Sequence, residues 1–177
     1  METLPQSARI AQVLGFTSSG FLSGTILSIS VFAMPTLTQS PTSLLLQQWR
    51  FLFLRGAARA PVLAVLSCLT SAYAAYARYS SAASGSVKVG GGDGDRSWLY
   101  PAATAVLTAG IIPFTFLFMA ETNARLTELG RSVHGGEAKV SRAQVLDLVQ
   151  HWTLLNGIRS CWPLVGCVVG IYGLLSS

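Results

Sequence analysis

Four apolar runs, each about as long as a membrane-crossing helix, constrain this chain more than any other feature of its sequence. They lie at about Ile10–Met34, Ala57–Ala77, Trp98–Ala120 and Trp152–Leu175. A helix rises about 1.5 Å per residue, so roughly 20 mostly apolar residues cross the hydrocarbon of a bilayer. The third run is the cleanest, with no charged side chain between Arg96 and Glu121. The first is too long for the apolar part of a signal peptide, and Arg9 is its only basic lead, so it reads as a retained span. Charged residues make up 11% of the chain, against about a quarter in soluble domains. That is too little to cover a water-facing surface, and the mean hydropathy of +0.51 agrees. The expected fold is all-α, an integral membrane four-helix bundle forming one domain over residues 1–177.

A net charge of +5 raises the question of nucleic acid, but the cations are scattered and no basic patch interleaved with aromatics emerges. The bilayer is the expected partner, and nucleic acid is not. The segments Pro35–Arg59 and Glu121–Gln150 share one side and hold Arg50, Arg55, Arg59, Arg125, Arg131, Lys139 and Arg142. The other side holds Arg9, Arg78, Lys88 and Arg96. Seven against four places the first side in the cytoplasm, with both termini lumenal. Glycosylation acceptors inserted at Gly91 and Gly135 report this orientation. Modification is expected at Gly91 alone, and modification at Gly135 alone reverses the assignment.

Several local signals describe packing rather than chemistry. Gly20 and Gly24, followed by Ser28, have the spacing that lets membrane helices approach closely, and Gly166 and Gly170 repeat it. Pro35 is expected to end the first span. Ser40-Pro41-Thr42 reads as a cap with proline at the first helical position. Leu44–Leu54 follows as an interfacial or helical lead into span two, with Trp49 suited to the headgroup level. Ser80–Asp95 reads as a flexible loop, and its "VGGGDGD" matches no phosphate-binding pattern. Pro113 interrupts span three by removing a backbone hydrogen bond to Ala109. A Gly135-Gly136 break precedes Ser141-Arg-Ala-Gln144, a capping box leading into span four. Cys68, Cys161 and Cys167 fall within spans, with no CxxC pair, and behave as small apolar residues.

Polar side chains inside membrane spans are the informative ones. Trp152, Asn156, Arg159 and Pro163 recur on one helical stripe of span four. On span three Thr115, Met119 and Thr122 share a stripe, with Asn123 one step away. Antiparallel connectivity brings these to one end of the bundle, joined from the first loop by Trp49 and Arg50. Arg159 is the sharpest of them, because an arginine at the bilayer centre costs about 2.5–3.5 kcal/mol. Either it snorkels to the interface or it faces a cavity, paired with Glu121 or with an anionic ligand. Its neighbour Asn156 favours the cavity.

Only His134 and His151 are present, too few for a di-iron or zinc centre. His134 reads as surface. His151, at the mouth of span four, is either interfacial or a general base, since histidine ordinarily titrates near neutral pH. No flavin or nicotinamide signature occurs. The chemistry expected is therefore free of metal and organic cofactor.

The strings "PFTFLFMAETNARL" (113–126) and "HWTLLNGIRSCWPLVGCVVG" (151–170), with the first span and the Trp49 region, resemble the fungal anthrone oxygenase family. The resemblance implies a multi-pass protein of the endoplasmic reticulum or another endomembrane. It also implies oxidation of an aromatic polyketide anthrone to an anthraquinone by molecular oxygen, as in emodin-type pathways. Arg159, Asn156, His151 and Asn123 are then the catalytic candidates. Trp49, Arg50, Thr115, Met119 and Trp152 are the substrate-binding candidates, with the two tryptophans stacking on the flat substrate. Two other readings compete. A proton-coupled carrier needs a titratable residue deep in the bundle, which spans one to three lack and an arginine does not provide. A non-catalytic scaffold would use the same polar residues only to lock helices together.

Overall fold

In a computed structural model, which describes residues 5–83, 96–132 and 141–176, almost every residue is helical. Four helices follow one another: α1 Gln6–Leu37, α2 Thr42–Ala83, α3 Leu99–Ser132 and α4 Arg142–Leu175. Each is long and apolar enough to cross a bilayer, so the chain is an all-α, multi-pass membrane protein. Most of the Ser80–Asp95 loop, Lys88, His134, the Gly135-Gly136 break and Lys139 lie outside the described residues.

The helices run well beyond the apolar runs. Arg50, Arg55 and Arg59 stand inside α2 rather than in a loop, because arginine is a good helix former and breaks only the apolarity of the segment. Pro41 precedes the helix, its carbonyl accepting from Leu45 N–H at 2.9 Å. It therefore caps α2 rather than occupying the first helical position. Pro35 does not end α1 either. The five residues Ile29–Ala33 form a π-helical turn, closed by Met34 N–H to the Ile29 carbonyl, and the helix continues to Leu37. In α3 the interruption expected near Pro113 appears as a turn at Gly110 and a second π-helical turn, Thr115–Met119. The Ser141 half of the expected capping box forms, with Gln144 N–H donating to Ser141 Oγ at 3.3 Å. Arg142 holds the end of α1 through the Thr38 and Ser40 carbonyls, at 2.9 and 2.7 Å.

Contacts divide the chain into two units, each taking a segment from all four helices. The first comprises residues 1–23, 62–110 and 162–177. Its interior is built from small and hydroxylated residues, among them Ser19, Ser67, Thr104 and Thr108, all buried. Hydroxyls bond helix to helix: Ser67 to the Gly15 carbonyl at 2.8 Å, Thr104 to the Gly166 carbonyl at 2.9 Å, Ser19 to the Pro163 carbonyl at 2.7 Å. Meanwhile Phe21, Leu69, Tyr76, Val106 and Tyr172 stand outward. That inversion suits lipid, where apolar side chains gain nothing by leaving the solvent and small residues let helices close up.

Gly166 and Gly170 make the close approach their spacing predicts. A side chain at Gly170 would start 2.7 Å from Phe16 Cβ, and one at Gly173 would overlap the Tyr100 side chain. Gly20 faces Cys167, but Gly24 meets nothing within 4 Å. The spacing on span one therefore packs at one of its two glycines. Arg78, just past the expected end of span two, is buried inside α2, and its Nε and Nη2 donate to Gln12 Oε1 at 3.1 and 2.7 Å.

The second unit, residues 24–61 and 111–161, has a different interior. Met34, Leu45, Leu46, Trp49, Met119, Leu126, Val145, Val149 and Trp152 form one large apolar cluster. The part of α3 after Met119 buries Thr122, Leu126 and Gly130 while Glu121, Arg125 and Glu128 remain exposed. A four-residue repeat of buried positions opposite charges marks a helix with one watered face.

Candidate functional site

The polar residues that sequence spacing puts on one stripe of α4 meet α1 and α3 within the second unit. Trp152 Nε1 donates to Asn123 Oδ1 at 2.8 Å, joining α4 to α3. One helical turn further along, Asn156 is fully buried, and its Nδ2 donates to the Ile26 carbonyl and to Ser30 Oγ, both at 2.9 Å. A carbonyl can only accept, so the nitrogen of this amide must face α1. The oxygen is thereby turned to Arg159, whose Nη2 donates to it at 2.8 Å. Arg159 Nη1 donates to Thr115 Oγ1 at 3.2 Å.

Hydroxyl protons settle the direction of each bond. Thr115 donates to the Ile111 carbonyl at 2.6 Å, and Ser30 to the Thr153 carbonyl at 3.0 Å. Each hydroxyl has one proton and has spent it on the backbone, so only lone pairs remain for Arg159 and Asn156. Both hydroxyls lie in π-helical turns, a distortion that frequently marks functional positions in helices.

Arg159 is half-buried, and its charge is held by neutral oxygens alone. Glu121, one of the two partners expected for it, pairs instead with Arg125 at 2.6 Å on the exposed face. Among the described residues no carboxylate meets Arg159. Two hydrogen bonds from a cation contribute about 1.5–3 kcal/mol each, enough to offset insertion of an arginine into a span without cancelling its charge. Buried donors without an acceptor among the described residues include Trp49 Nε1, Arg50 Nε and Arg159 Nε. The unit thus holds more donors than it uses.

Of the candidates, Arg159, Asn156 and Thr115 form one bonded group, and Trp152 and Asn123 a second. Met119 and Trp49 belong to the apolar cluster around them. Trp49 is not a headgroup anchor: it is fully buried, stacked on Phe53 at 5.1 Å and edge-on to Trp152 at 5.6 Å. Arg50 lies over Gly130, where a side chain would start 3.3 Å from Arg50 Cδ, and is bonded to none of the others. His151 is exposed and is not brought to the row. Ser30 was not singled out by sequence. Span one carries Ser18, Ser19, Ser23 and Ser28 as well, and helical periodicity does not choose among them.

An open, mostly apolar groove of about 740 Å³ runs along Ile29, Phe32, Leu44 and Phe51 between α1 and α2. Its size suits a small ligand. Its walls hold none of the bonded residues and no charge.

The sequence model of a family described as anthrone oxygenase matches residues 49–169. Over 176 residues the chain is 33% identical to anthrone oxygenase tpcL of Aspergillus fumigatus, covering 97% of this chain and 99% of that one. It is 34% identical to anthrone oxygenase AgnL2 of Paecilomyces divaricatus, over 94% of this chain and 96% of the relative. Monooxygenase hypC of Dothistroma septosporum is 32% identical, over 90% and 80% respectively. No solved structure matches. The family-model match runs from Trp49 in α2 through α3 into α4 and takes in Thr115, Asn123, Trp152, Asn156 and Arg159, while the alignment to tpcL covers 97% of the chain: the chain belongs to the anthrone oxygenase family of oxygenases.

Proposed function

We propose that this protein oxidises a polyketide anthrone to its anthraquinone with molecular oxygen, using no metal or organic cofactor. The observation that carries the reading is Arg159, an intramembrane cation held by neutral acceptors in a unit with donors to spare. Named relatives act as anthrone oxygenases, and an anthrone is a greasy, flat molecule that enters from lipid. Its CH2 group lies between two aromatic rings and beneath a carbonyl, so losing a proton gives an anion whose charge rests on the carbonyl oxygen. A preorganised guanidinium stabilises such an oxyanion more than the neutral ketone, which is what lowers a barrier.

The electron-rich anion passes one electron to oxygen, and the radical and superoxide join at the former methylene carbon. The resulting peroxide anion takes one proton back from water, and the hydroperoxide so formed loses water to leave the second carbonyl. The balance is one anthrone and one O2 giving one quinone and one H2O. The methylene proton leaves to water, and in this reading His151, exposed next to Trp152, relays it. Among the described residues no three His, Cys, Asp or Glu side chains gather as metal ligands.

The full chain, purified in detergent and given emodin anthrone, is expected to consume oxygen and form quinone above the spontaneous rate. Turnover is expected to survive exhaustive chelation and to need no added flavin or nicotinamide. Loss on chelation with recovery on returning one metal would refute the cofactor-free reaction.

A further inference from the structure

We propose that Ser30 is a positioning residue for Arg159, acting through the Asn156 amide. The assignment rests on the role given to Arg159 above. An asparagine side chain is nearly symmetric in shape, and turning it by half a circle would present NH2 rather than oxygen to Arg159. Two donors facing each other cannot bond, and the guanidinium would lose the shorter of its two hydrogen bonds. Two contacts prevent the turn: the Ile26 carbonyl and Ser30 Oγ, both accepting from Asn156 Nδ2 at 2.9 Å. Ser30 accepts in this direction because its own proton is held by the Thr153 carbonyl at 3.0 Å. The sequence of bonds runs from the α4 backbone through Ser30 and Asn156 to Arg159, back on α4. A hydroxyl in the π-helical turn of α1 thereby fixes where a cation on another helix sits.

Ser30 touches neither Arg159 nor a reacting atom, so its effect must pass through the guanidinium. The test is steady-state kinetics of the full chain in detergent with emodin anthrone, each variant matched by size-exclusion profile. Ser30→Ala is expected to lower kcat about tenfold, the scale of one lost buried hydrogen bond, with KM within about twofold. Ser30→Thr and Ser30→Val have the same shape, and the threonine is expected to recover most of the rate that the valine loses. In an Arg159→Gln background, Ser30→Ala is expected to cost less than twofold more, since residues acting through one group are not additive.

Unchanged kcat in Ser30→Ala overturns the proposal, as does an equal loss in Ser30→Thr and Ser30→Val. A tenfold loss that persists in the Arg159→Gln background also overturns it, because the hydroxyl then acts elsewhere. If neither hydroxyl-free variant folds while Ser30→Thr does, Ser30 is a folding residue and the proposal fails. Wild-type turnover in Arg159→Gln alone is a different failure: it removes the role of Arg159, and this assignment falls with it.

Discussion

Replacing Arg159 with glutamine is expected to lower anthrone turnover by about a hundredfold or more while the protein still inserts and folds. Loss of one preorganised donor to a developing oxyanion commonly has that effect, and here the charge goes with it. Folding should survive, because glutamine keeps an amide able to bond Asn156 or Thr115 and removes an ion from the span. Arg159→Lys should retain part of the rate. Lysine keeps the charge, but its point-like ammonium cannot hold the Thr115 and Asn156 oxygens while also facing a substrate oxygen as a planar fork does. Oxygen uptake per folded protein, from the size-exclusion peak, measures both. Wild-type turnover in Arg159→Gln would mean that the arginine only locks helices, as in a scaffold.

Substitution of Asn156 gives the second large effect, with a sign that separates two accounts of the site. Asn156→Ala removes three hydrogen bonds but leaves the cation its charge, and about a tenfold loss of turnover is expected. Asn156→Asp keeps an oxygen in front of Arg159 and adds a negative charge. At about 4 Å and an effective dielectric of about 20, opposite charges attract by roughly 4 kcal/mol. That is stabilisation the guanidinium no longer offers to a guest anion. If the site works by charge, the aspartate is the worse variant, by tenfold or more, despite preserving the bond. If it works only by holding the arginine still, the aspartate is the better one. The ratio of the two rates, measured in parallel, decides.

The parts of this architecture that follow from periodicity were legible in the chain. Trp152, Asn156 and Arg159 share a stripe on any helix, and lipid gives polar groups a reason to turn inward. Their meeting with Thr115 and Asn123 then follows from short antiparallel connections. Other features carry no periodic signal. Arg50, Arg55 and Arg59 end an apolar run without ending a helix, so hydropathy marked the span and missed the segment beyond it. Pro35 reads as a terminator because an isolated helix would stop there, yet a wider turn just before it lets α1 continue. Trp49 has the amphipathic ring of an interfacial residue, and only its packing against Phe53 and Trp152 shows that it is internal. Gly24 carries the close-packing spacing of Gly20 but faces no neighbour, since spacing states what may approach and not what does. Ser30 required the structure outright.

Each π-helical turn holds a residue more than the α-helical repeat around it would need. The two stretches flanking such a turn therefore follow separate rotational registers, kept in phase by that surplus residue. Winding Thr115–Met119 as ordinary α-helix, with no residue removed, would swing every later side chain of α3 through about 100°. Asn123 would leave Trp152, and Glu121 and Arg125 would take the buried places of Thr122 and Leu126. In this protein, how the helix winds at two places is as much a determinant of the site as residue identity.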